Sequence, residues 1–419
     1  MPSVCVVGLG YIGLPTAALI ASRQHRVFGV DLDAHVVATV NAGKIHITEP
    51  DLAGLVQKVV TDGLLTAHAS PQAADVFIIA VPTPLTETGR QPMLDHVLAA
   101  ARNLAPLLAP GNLVILESTS PVGTTAHVAR LLGELRPDLS LPGSSHSPDI
   151  AVAFCPERVL PGRILTELLD NDRCVGGLTP TCTAKAAAFY QLFVRGAVLH
   201  TSAATAELVK LAENAFRDVN IAFANELSLV AEQAGVDVWD LIRLANRHPR
   251  VNILQPGPGV GGHCIAVDPW FIVAAAPEQA RLIRTGREVN DHKAEHVRDQ
   301  VAALARANPA LPITCFGLAF KANVDDLRES PALHIATQLA AMFPGRVAAV
   351  EPMIVAAPAG FPAPLLGIEA ALACDGIYLL LVDHAAFERI PPERLQGRII
   401  ISTRSIWRQT KPAPGAGTS

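Results

Sequence analysis

Cys264 closes a glycine-rich loop at residues 257–264, which runs into an apolar segment and then Asp268. A loop of this composition lets the backbone approach a bound ligand closely, and a thiolate is a strong nucleophile. Cys264 is therefore a candidate catalytic nucleophile. A single cysteine is also often a small buried hydrophobic residue, so these residues alone leave both interpretations open.

A second polar group lies on one face of a predicted helix. Lys210, Asn214 and Arg217 are spaced i, i+4 and i+7, which places their side chains on the same side of a helix. Taken alone, this spacing is typical of a solvated polar face.

The N-terminal segment has the glycine spacing of a dinucleotide-binding turn. Gly8, Gly10 and Gly13 follow an apolar run and open a helical pattern, and Asp31 ends the next apolar run. The glycines permit a tight turn, close approach of a pyrophosphate and close helix–strand packing, while the helix N-terminus faces the phosphate charge. Asp31 would accept hydrogen bonds from ribose hydroxyls and repel a 2′-phosphate, so the sequence predicts NAD rather than NADP.

Two later strand ends, at residues 80–84 and 117–124, would complete this cofactor pocket, because ligands of open α/β sheets bind beyond the carboxyl ends of the strands. Each of these segments, taken alone, is also typical of an ordinary turn. The additional residues predicted to bind the cofactor here are Tyr11, Ile12, Thr83, Thr119 and Thr124.

Short β-branched runs alternate with helical patterns at both ends of the chain, which predicts parallel sheets. The predicted strands lie at 4–7, 27–30, 76–81, 113–116 and 152–155, and then at 313–316, 347–350, 377–382 and 399–401. Between them, helices are predicted at 202–234, 238–246 and 280–307. The predicted fold is α/β, with two Rossmann-like doubly wound domains joined by a long central helix.

The predicted boundaries are 1–200 for the NAD-binding domain, 201–308 for the helical central domain, 309–410 for the second Rossmann-like domain and 411–419 for a disordered tail. Residues 2–22 are uncharged and largely apolar, but glycines and Pro15 interrupt them. They fit a strand–turn–helix better than a signal peptide or a membrane span.

Composition excludes several classes of partner. The 419 residues include 33 Lys and Arg against 38 Asp and Glu, a net charge of −5, which gives no reason to expect a nucleic acid or a membrane surface as partner. The seven cysteines are scattered and form no CxxC pair, which disfavours a disulfide framework and a zinc site. We expect a globular cytoplasmic protein without a metal site.

Taken together, these segments resemble the UDP-glucose/UDP-N-acetylmannosamine dehydrogenase family from Gly8 to about Trp407. Beyond the glycine turn, the resemblance lies in segments 118–124, 155–159, 210–214, 261–264, 316–321 and 325–331. Segments 214–226 and 244–253 look like the branch that acts on UDP-N-acetyl-D-mannosamine rather than the UDP-glucose branch.

The resemblance implies a four-electron, NAD-dependent oxidation of a UDP-sugar for bacterial surface polysaccharide synthesis. Cys264 would add to an aldehyde intermediate, because the second oxidation needs a covalent thiohemiacetal that becomes a thioester. Lys210 would stabilise charge on the reacting oxygen or relay its proton, and Asn214 would donate to the same oxygen. Asp268 and Glu157 would orient or activate water, with help from Thr119.

The resemblance also implies the substrate contacts and the assembly. The residues placed around the UDP-sugar are Arg158, Val159, Lys210, Asn214, Arg217, His248, Arg250, Gly261, Phe320 and Lys321. Arg328 would reach the nicotinamide cofactor, and Arg250 would act across the boundary of a homodimer built on the long central helix.

One position departs from the family pattern, because Ser402 follows the last strand where members often have Asp. This weakens expectations about the nucleotide end of the pocket. Three alternatives stay open: the same chemistry on UDP-N-acetylgalactosamine, UDP-N-acetylglucosamine or UDP-glucose; a two-electron hydroxyacid dehydrogenase, which Cys264 disfavours; and a catalytically silent sugar-nucleotide sensor.

Overall fold

In a computed structural model, the described residues are 1–86, 90–143, 148–160, 162–262 and 264–407. They form two compact units. The first contains Met1–Glu213 and Trp270–Pro277, and the second contains Asn214–Pro269 and the chain from Glu278 onward. The tail predicted at 411–419 lies outside the described residues.

Eight strands of the first unit form one sheet. They are β1 (Val4–Val7), β2 (Val27–Val30), β3 (Leu65–His68), β4 (Val76–Ile79), β5 (Leu113–Leu116), β6 (Ala151–Phe154), β7 (Arg173–Gly177) and β8 (Val198–Ser202). Their order is β3-β2-β1-β4-β5-β6-β7-β8, and neighbours are parallel except β6 and β7, which are antiparallel.

Helices cover both faces of this sheet, which explains why its central strands are continuous apolar runs. Val4 and Val6 pack into one core cluster, whereas Cys5 and Val7 pack into the other, as the alternation of side chains along a strand requires. The helices are α1 (Gly13–Ser22), α2 (Ala34–Asn41), α3 (Leu52–Thr61), α4 (Asp95–Leu104), α5 (Thr124–Leu135), α6 (Ile164–Asp170) and α7 (Pro180–Tyr190).

A helical section follows. It contains α8 (Ala203–Gln233), α9 (Val238–Ala245), α10 (Asp268–Ala275) and α11 (Arg281–Ala307). The 31-residue α8 begins in the first unit and ends in the second. The helices predicted at 202–234, 238–246 and 280–307 match α8, α9 and α11 to within one residue at each end.

The second unit contains a smaller parallel sheet. Its strands are β9 (Ile313–Phe316), β10 (Val347–Val350), β11 (Ile377–Leu380) and β12 (Ile399–Ser402), in the order β10-β9-β11-β12. Around it lie α12 (Pro331–Met342), α13 (Ile368–Leu372) and α14 (Ala385–Glu388). The predicted strands are all present, and β3, β7 and β8 are strands that the prediction missed.

Candidate functional site

The glycine turn between β1 and α1 has the geometry that a pyrophosphate requires. Gly8 has a φ of +96°, and a Cβ on it would lie 2.4 Å from the Ala80 carbonyl oxygen. A Cβ on Gly13 would lie 1.8 Å from the Gly8 oxygen, whereas one on Gly10 would meet no heavy atom within 4 Å. The close contacts and the open space are where the dinucleotide-binding turn needs them.

Asp31 lies beside this turn, directly after β2. Its Oδ2 accepts a hydrogen bond from the Leu9 N–H at 3.0 Å, and its Oδ1 accepts one from the Asp33 N–H at 3.0 Å. A carboxylate offers about four acceptor positions, so these two bonds orient Asp31 and leave capacity for ribose hydroxyls. Tyr11 and Ile12 are half-buried in the turn that precedes α1.

The ends of β4 and β5 are joined through two of the predicted threonines. Thr83 Oγ1 donates to the Thr119 carbonyl at 2.6 Å. Thr124 is buried and opens α5, and its hydroxyl donates to the Pro121 carbonyl at 2.7 Å. Thr83 and Thr119 are thus in contact, whereas the Thr124 hydroxyl forms a hydrogen bond within its own turn.

Glu207, on α8, holds the same segment and was missed by sequence reasoning. Its carboxylate accepts hydrogen bonds from the Gly123 N–H at 2.6 Å and the Thr125 N–H at 2.7 Å, and it is buried. It therefore caps the N-terminus of α5 from a helix about eighty residues away. A lone glutamate on a helix gives no sequence signal for such a contact.

Glu157 follows β6 in a buried cluster of ionisable groups. Its Oε2 accepts from Arg173 Nη1 at 2.7 Å, and its Oε1 accepts from the Arg158 N–H at 2.7 Å. Nearby, Tyr190 Oη donates to Glu117 Oε1 at 2.6 Å. Burial raises the pKa of Glu117 to about 7, against the lowering effect of the Arg173 charge.

Arg158 and Val159 continue from this cluster towards the surface. The Arg158 guanidinium forms two contacts with Glu213 of α8, Nε to Oε2 at 3.0 Å and Nη2 to Oε1 at 2.6 Å. A planar guanidinium matches a carboxylate or a phosphate in this way. Val159 and Lys210 are half-buried, and Lys210 precedes Asn214 by one turn of α8.

The second unit brings together three of the predicted catalytic residues. Cys264 is exposed, and its carbonyl accepts from the Asp268 N–H at 2.8 Å in the turn that opens α10. Asn214 Nδ2 donates to Asp268 Oδ2 at 2.5 Å, with both side chains buried. The Asp268–Asn214 pair therefore fixes the base of the segment that presents the thiol.

The glycine-rich loop packs against the segment that follows β9. A Cβ on Gly261 would lie 2.4 Å from the Glu329 oxygen and 3.0 Å from Phe320 Cβ, and one on Gly262 would lie 3.0 Å from Phe320 Cε2. Two predicted substrate residues, Gly261 and Phe320, are thus in close contact. Glycine is required here because no side chain fits.

Asn225 supports the beginning of this loop and was also missed. Its Oδ1 accepts from the Gly257 N–H at 2.8 Å, and its Nδ2 donates to Asn290 Oδ1 at 2.8 Å. Both asparagines are buried. A polar residue within the apolar pattern of α8 was the available signal, because buried amides need partners.

The remaining predicted substrate residues lie at the surface of the second unit. Arg217, His248, Arg250 and Lys321 are exposed. The backbone N–H of Arg250 donates to the His248 ring at Nδ1, at 3.4 Å, so these two residues contact each other directly.

Arg328 and Ser402 contact their own neighbours in sequence. Arg328 donates from Nε and Nη2 to the Asp326 carboxylate at 2.8 and 2.6 Å. Ser402 Oγ donates to the Arg404 carbonyl and accepts from the Arg404 N–H at 3.2 Å. Ser402 thus closes the turn after β12.

Three family models match the chain. The NAD binding domain of the UDP-glucose/GDP-mannose dehydrogenase family matches residues 2–194, its central domain matches 204–292, and its UDP binding domain matches 314–409. The chain belongs to this family. It is an NAD-dependent oxidoreductase, and the predicted α/β fold, the cofactor and the family are confirmed.

The relatives of this dehydrogenase are named for two different sugars. A Ralstonia nicotianae NDP-N-acetyl-D-galactosaminuronic acid dehydrogenase is 57% identical over 407 residues, 97% of this chain and 96% of the relative. The Escherichia coli UDP-N-acetyl-D-mannosamine dehydrogenase is 53% identical over 417 residues, 97% of this chain and 99% of the relative. The Pyrococcus horikoshii UDP-D-ManNAc dehydrogenase structure superposes with a TM-score of 0.86 at 38% identity, covering 98% of this chain and 97% of that one.

Two further findings concern this dehydrogenase. Within the described residues, none of the helices combines the length and the apolar character needed to span a bilayer. The same residues contain no group of three or more His, Cys, Asp or Glu side chains placed to hold a metal ion. The predicted site roles, domain boundaries and homodimer stay predictions.

Proposed function

We propose that this enzyme oxidises the C6 hydroxyl of UDP-N-acetyl-D-mannosamine to a carboxylate, giving UDP-N-acetyl-D-mannosaminuronate for polysaccharide synthesis. The observation that carries the proposal is the exposed Cys264 beside the buried Asp268–Asn214 pair. A nucleophilic thiol is needed only if oxidation continues beyond the aldehyde, so Cys264 supports the four-electron reaction. The choice of substrate is supported by relatives that are 53% identical and are named UDP-N-acetyl-D-mannosamine dehydrogenase.

The first oxidation converts the alcohol to an aldehyde. When bound, NAD⁺ supplies a hydride acceptor at each of the two oxidation steps. The C6 hydroxyl loses its proton while its carbon loses hydride, so negative charge develops on the oxygen. Lys210 and Asn214 are assigned to stabilise that charge, because a positioned donor stabilises a developing oxyanion more than the ground state.

The second oxidation takes place on Cys264. Its thiolate adds to the aldehyde carbon to form a thiohemiacetal, loss of hydride gives a thioester, and water then hydrolyses the thioester and returns the thiol. One alcohol, two NAD⁺ and one water thus become one carboxylate, two NADH and three protons. Asp268 and Glu157 are the candidates to activate the water, with Thr119 assisting.

Binding of the two ligands is assigned to separate residue sets. The UDP-sugar set is Arg158, Val159, Lys210, Asn214, Arg217, His248, Arg250, Gly261, Phe320 and Lys321, whose cations suit a diphosphate. The cofactor set is Gly8, Gly10, Tyr11, Ile12, Gly13, Asp31, Thr83, Thr119, Thr124 and Arg328.

UDP-N-acetyl-D-galactosamine is the second candidate substrate, because the 57%-identical relative is named for the corresponding uronic acid. The test incubates the enzyme with UDP-N-acetyl-D-mannosamine, UDP-N-acetyl-D-galactosamine, UDP-N-acetyl-D-glucosamine and UDP-glucose separately, and identifies the products by mass spectrometry and NMR. We expect the mannosaminuronate, with two NADH per sugar and no released aldehyde. One NADH per sugar would overturn the four-electron mechanism.

The proposed macromolecular partner is a second copy of the chain. Phe216, Phe223 and Val230 of α8 are 70%, 56% and 56% exposed and spaced by seven residues, so they form a stripe along one helix face. An exposed apolar stripe of this kind is typical of a protein interface.

A further inference from the structure

The second unit repeats the strand-to-glycine turn of the first. Gly317 follows β9 with a φ of +92°, as Gly8 follows β1 with a φ of +96°. The Gly317 N–H donates to the Val350 carbonyl at 2.8 Å, and the Gly8 N–H donates to the Val30 carbonyl at 2.8 Å. The carbonyls that accept these bonds end β2 and β10. In each unit the next residue is acidic, Asp31 after β2 and Glu351 after β10, and it lies beside the glycine turn.

The two acidic residues are used differently. Asp31 is half-buried, and its Oδ2 accepts from the Leu9 N–H at 3.0 Å. Its counterpart Glu351 is enclosed, and its Oε2 accepts from the N–H groups of Leu318 at 2.7 Å and Ala319 at 3.0 Å. Glu351 therefore holds two consecutive backbone amides after the glycine.

Two further donors contact the Glu351 carboxylate. His384 Nε2 contacts Oε2 at 3.1 Å, and the Met353 N–H donates to Oε1 at 3.0 Å. The carboxylate thus has three donors on Oε2 and one on Oε1, and the Glu351 and His384 side chains are fully buried. Burial raises the pKa of Glu351, but the hydrogen bonds from His384 and the backbone outweigh it, and the net pKa is lowered. This carboxylate serves the protein rather than a ligand hydroxyl.

His384 extends the contact to the other end of the same segment. Its Nδ1 lies 3.0 Å from the Asn323 N–H, so Nδ1 is the acceptor and the proton of the neutral ring is on Nε2, facing Glu351. Asn323 has a φ of +60°, and its Oδ1 accepts from the Ala385 N–H at 3.0 Å. The segment 318–323 is thus held at its beginning by Glu351 and at its end by His384.

The segment between these two anchors carries Phe320 and Lys321. Phe320 packs against the positions where Gly261 and Gly262 would bear a Cβ, two or three residues before Cys264. Lys321 is exposed and available to a phosphate. A shift of residues 318–323 would therefore displace both a cation and the surface on which the thiol-bearing loop rests.

We propose that Glu351 and His384 are positioning residues for the UDP-sugar: as a buried pair, they fix the segment that presents Phe320 and Lys321. This proposal rests on the proposed function, because those two residues are assigned to the substrate there. The acidic side chain at the position of Asp31 is here fully buried and accepts from four donors of the protein itself.

The test compares Glu351→Gln, His384→Leu and His384→Asn with the wild-type full-length enzyme. Glutamine can still accept from Leu318 and Ala319 but lacks the charge, and asparagine can still accept from the Asn323 N–H whereas leucine cannot. The control is Tyr378→Phe on β11 of the same sheet, which removes a hydroxyl whose single proton is shared between the Ala371 and Cys374 carbonyls and leaves residues 318–323 unaltered.

Calorimetric titration with UDP and with NAD⁺ is combined with steady-state kinetics and thermal melting. We expect the Kd for UDP and the KM for the UDP-sugar to rise about 10- to 100-fold in Glu351→Gln and His384→Leu, since about 1 Å of misplacement can have such an effect. His384→Asn should recover part of the loss. The Kd for NAD⁺ should stay unchanged, and Tyr378→Phe should lower only the melting temperature.

Unchanged UDP affinity in Glu351→Gln and His384→Leu, with a lower melting temperature alone, would show that the pair is merely structural. Equal losses of UDP and NAD⁺ affinity would also overturn the proposal. Failure of the wild-type enzyme to oxidise any UDP-sugar would instead refute the proposed function, so the two failures are distinguishable.

Discussion

The cysteines differ in how deeply they are buried. Burial raises the pKa of Cys5 to about 11 and the pKa of Cys155 and Cys315 to about 12, so these three stay protonated at neutral pH. Cys264 and Cys374 are exposed. Since the thiolate is the nucleophile, exposure favours Cys264 for the covalent step and makes Cys374 a natural control.

Replacing Cys264 by serine tests the covalent step. The hydroxyl is a weaker nucleophile and its ester hydrolyses more slowly than a thioester, so we expect uronate formation to fall by about a thousandfold or more. Single-turnover reactions, quenched and followed by intact-protein mass, should show an ester adduct or arrest after the first oxidation. Cys374→Ser should be fully active. Undiminished uronate formation by Cys264→Ser would show that the thiol is not the nucleophile.

Glu117 predicts a pH effect on stability. Its folded pKa of about 7 lies above the ordinary value of 4.5 because burial disfavours the charged carboxylate and the Glu157 charge adds to that effect, which together outweigh the lowering effects of the Arg173 charge and the Tyr190 hydrogen bond. Between these two values the folded protein retains a proton that the unfolded chain has lost, so the free energy of unfolding falls as pH rises.

Replacing Glu117 by glutamine removes this titration and keeps an acceptor for Tyr190. Melting temperatures measured at pH 5 and pH 8 should show a smaller decrease for Glu117→Gln than for wild type. Glu134→Gln, on the surface of α5, is the control and should follow wild type. An unchanged pH dependence in Glu117→Gln would contradict the assignment.

At the scale of elements, the apolar runs predicted most strands because both faces of a parallel sheet are buried. β8 was missed because it is an edge strand with mostly exposed or half-buried residues, and β3 because its buried residues only alternate. β7 contains Gly176 and Gly177, which weaken a strand pattern. A Cβ on Gly177 would lie 2.2 Å from the Thr183 nitrogen, a requirement visible only after folding.

For the candidate site, the sequence likewise indicated some residues but not the partners that hold them in place. The predicted catalytic set was Cys264, Lys210, Asn214, Asp268 and Glu157. The second unit places Cys264, Asp268 and Asn214 in one segment and its support, and the catalytic roles stay predictions. The partners Glu207 and Asn225 were not predicted, because each contacts a loop at least thirty residues away. Long-range hydrogen bonds leave no periodic pattern in a single sequence.

The turn between β1 and α1 supports a prediction at this scale. Gly13→Ala would place a methyl group 1.8 Å from the Gly8 carbonyl, which must separate α1 from the strand and distort the pyrophosphate turn. We expect loss of NAD⁺ binding by calorimetry and a lower melting temperature. Gly54→Ala in α3, where a Cβ meets nothing within 4 Å, should bind NAD⁺ normally. Normal NAD⁺ affinity in Gly13→Ala would contradict the role of this turn.

At the scale of the whole molecule, the two units contain the same kind of glycine turn with an acidic residue beside it, and that residue has a different role in each unit. In each unit a glycine with positive φ follows the first strand, and an acidic residue after the neighbouring strand accepts the next backbone N–H. Asp31 is half-buried and keeps acceptor positions for a ligand, whereas Glu351 is fully buried and accepts from four donors of the protein. The burial of the carboxylate therefore distinguishes the two turns: the turn beside Asp31 is assigned to the cofactor, and the turn beside Glu351 holds a loop of the protein.

The proposed homodimer gives the last prediction. Phe216 and Phe223 lie on one face of α8, and replacing both by serine removes the two exposed aromatic side chains of that face. We expect sedimentation to show a dimer for wild type and a monomer for the double variant. Leu282→Ser, which alters a 69% exposed side chain on α11 instead of α8, should stay dimeric. Because Arg250 is assigned to act across the subunit boundary, the monomer should also lose turnover while retaining NAD⁺ binding. A monomeric wild type would refute the dimer, and a fully active monomer would refute the role of Arg250 in the partner's site.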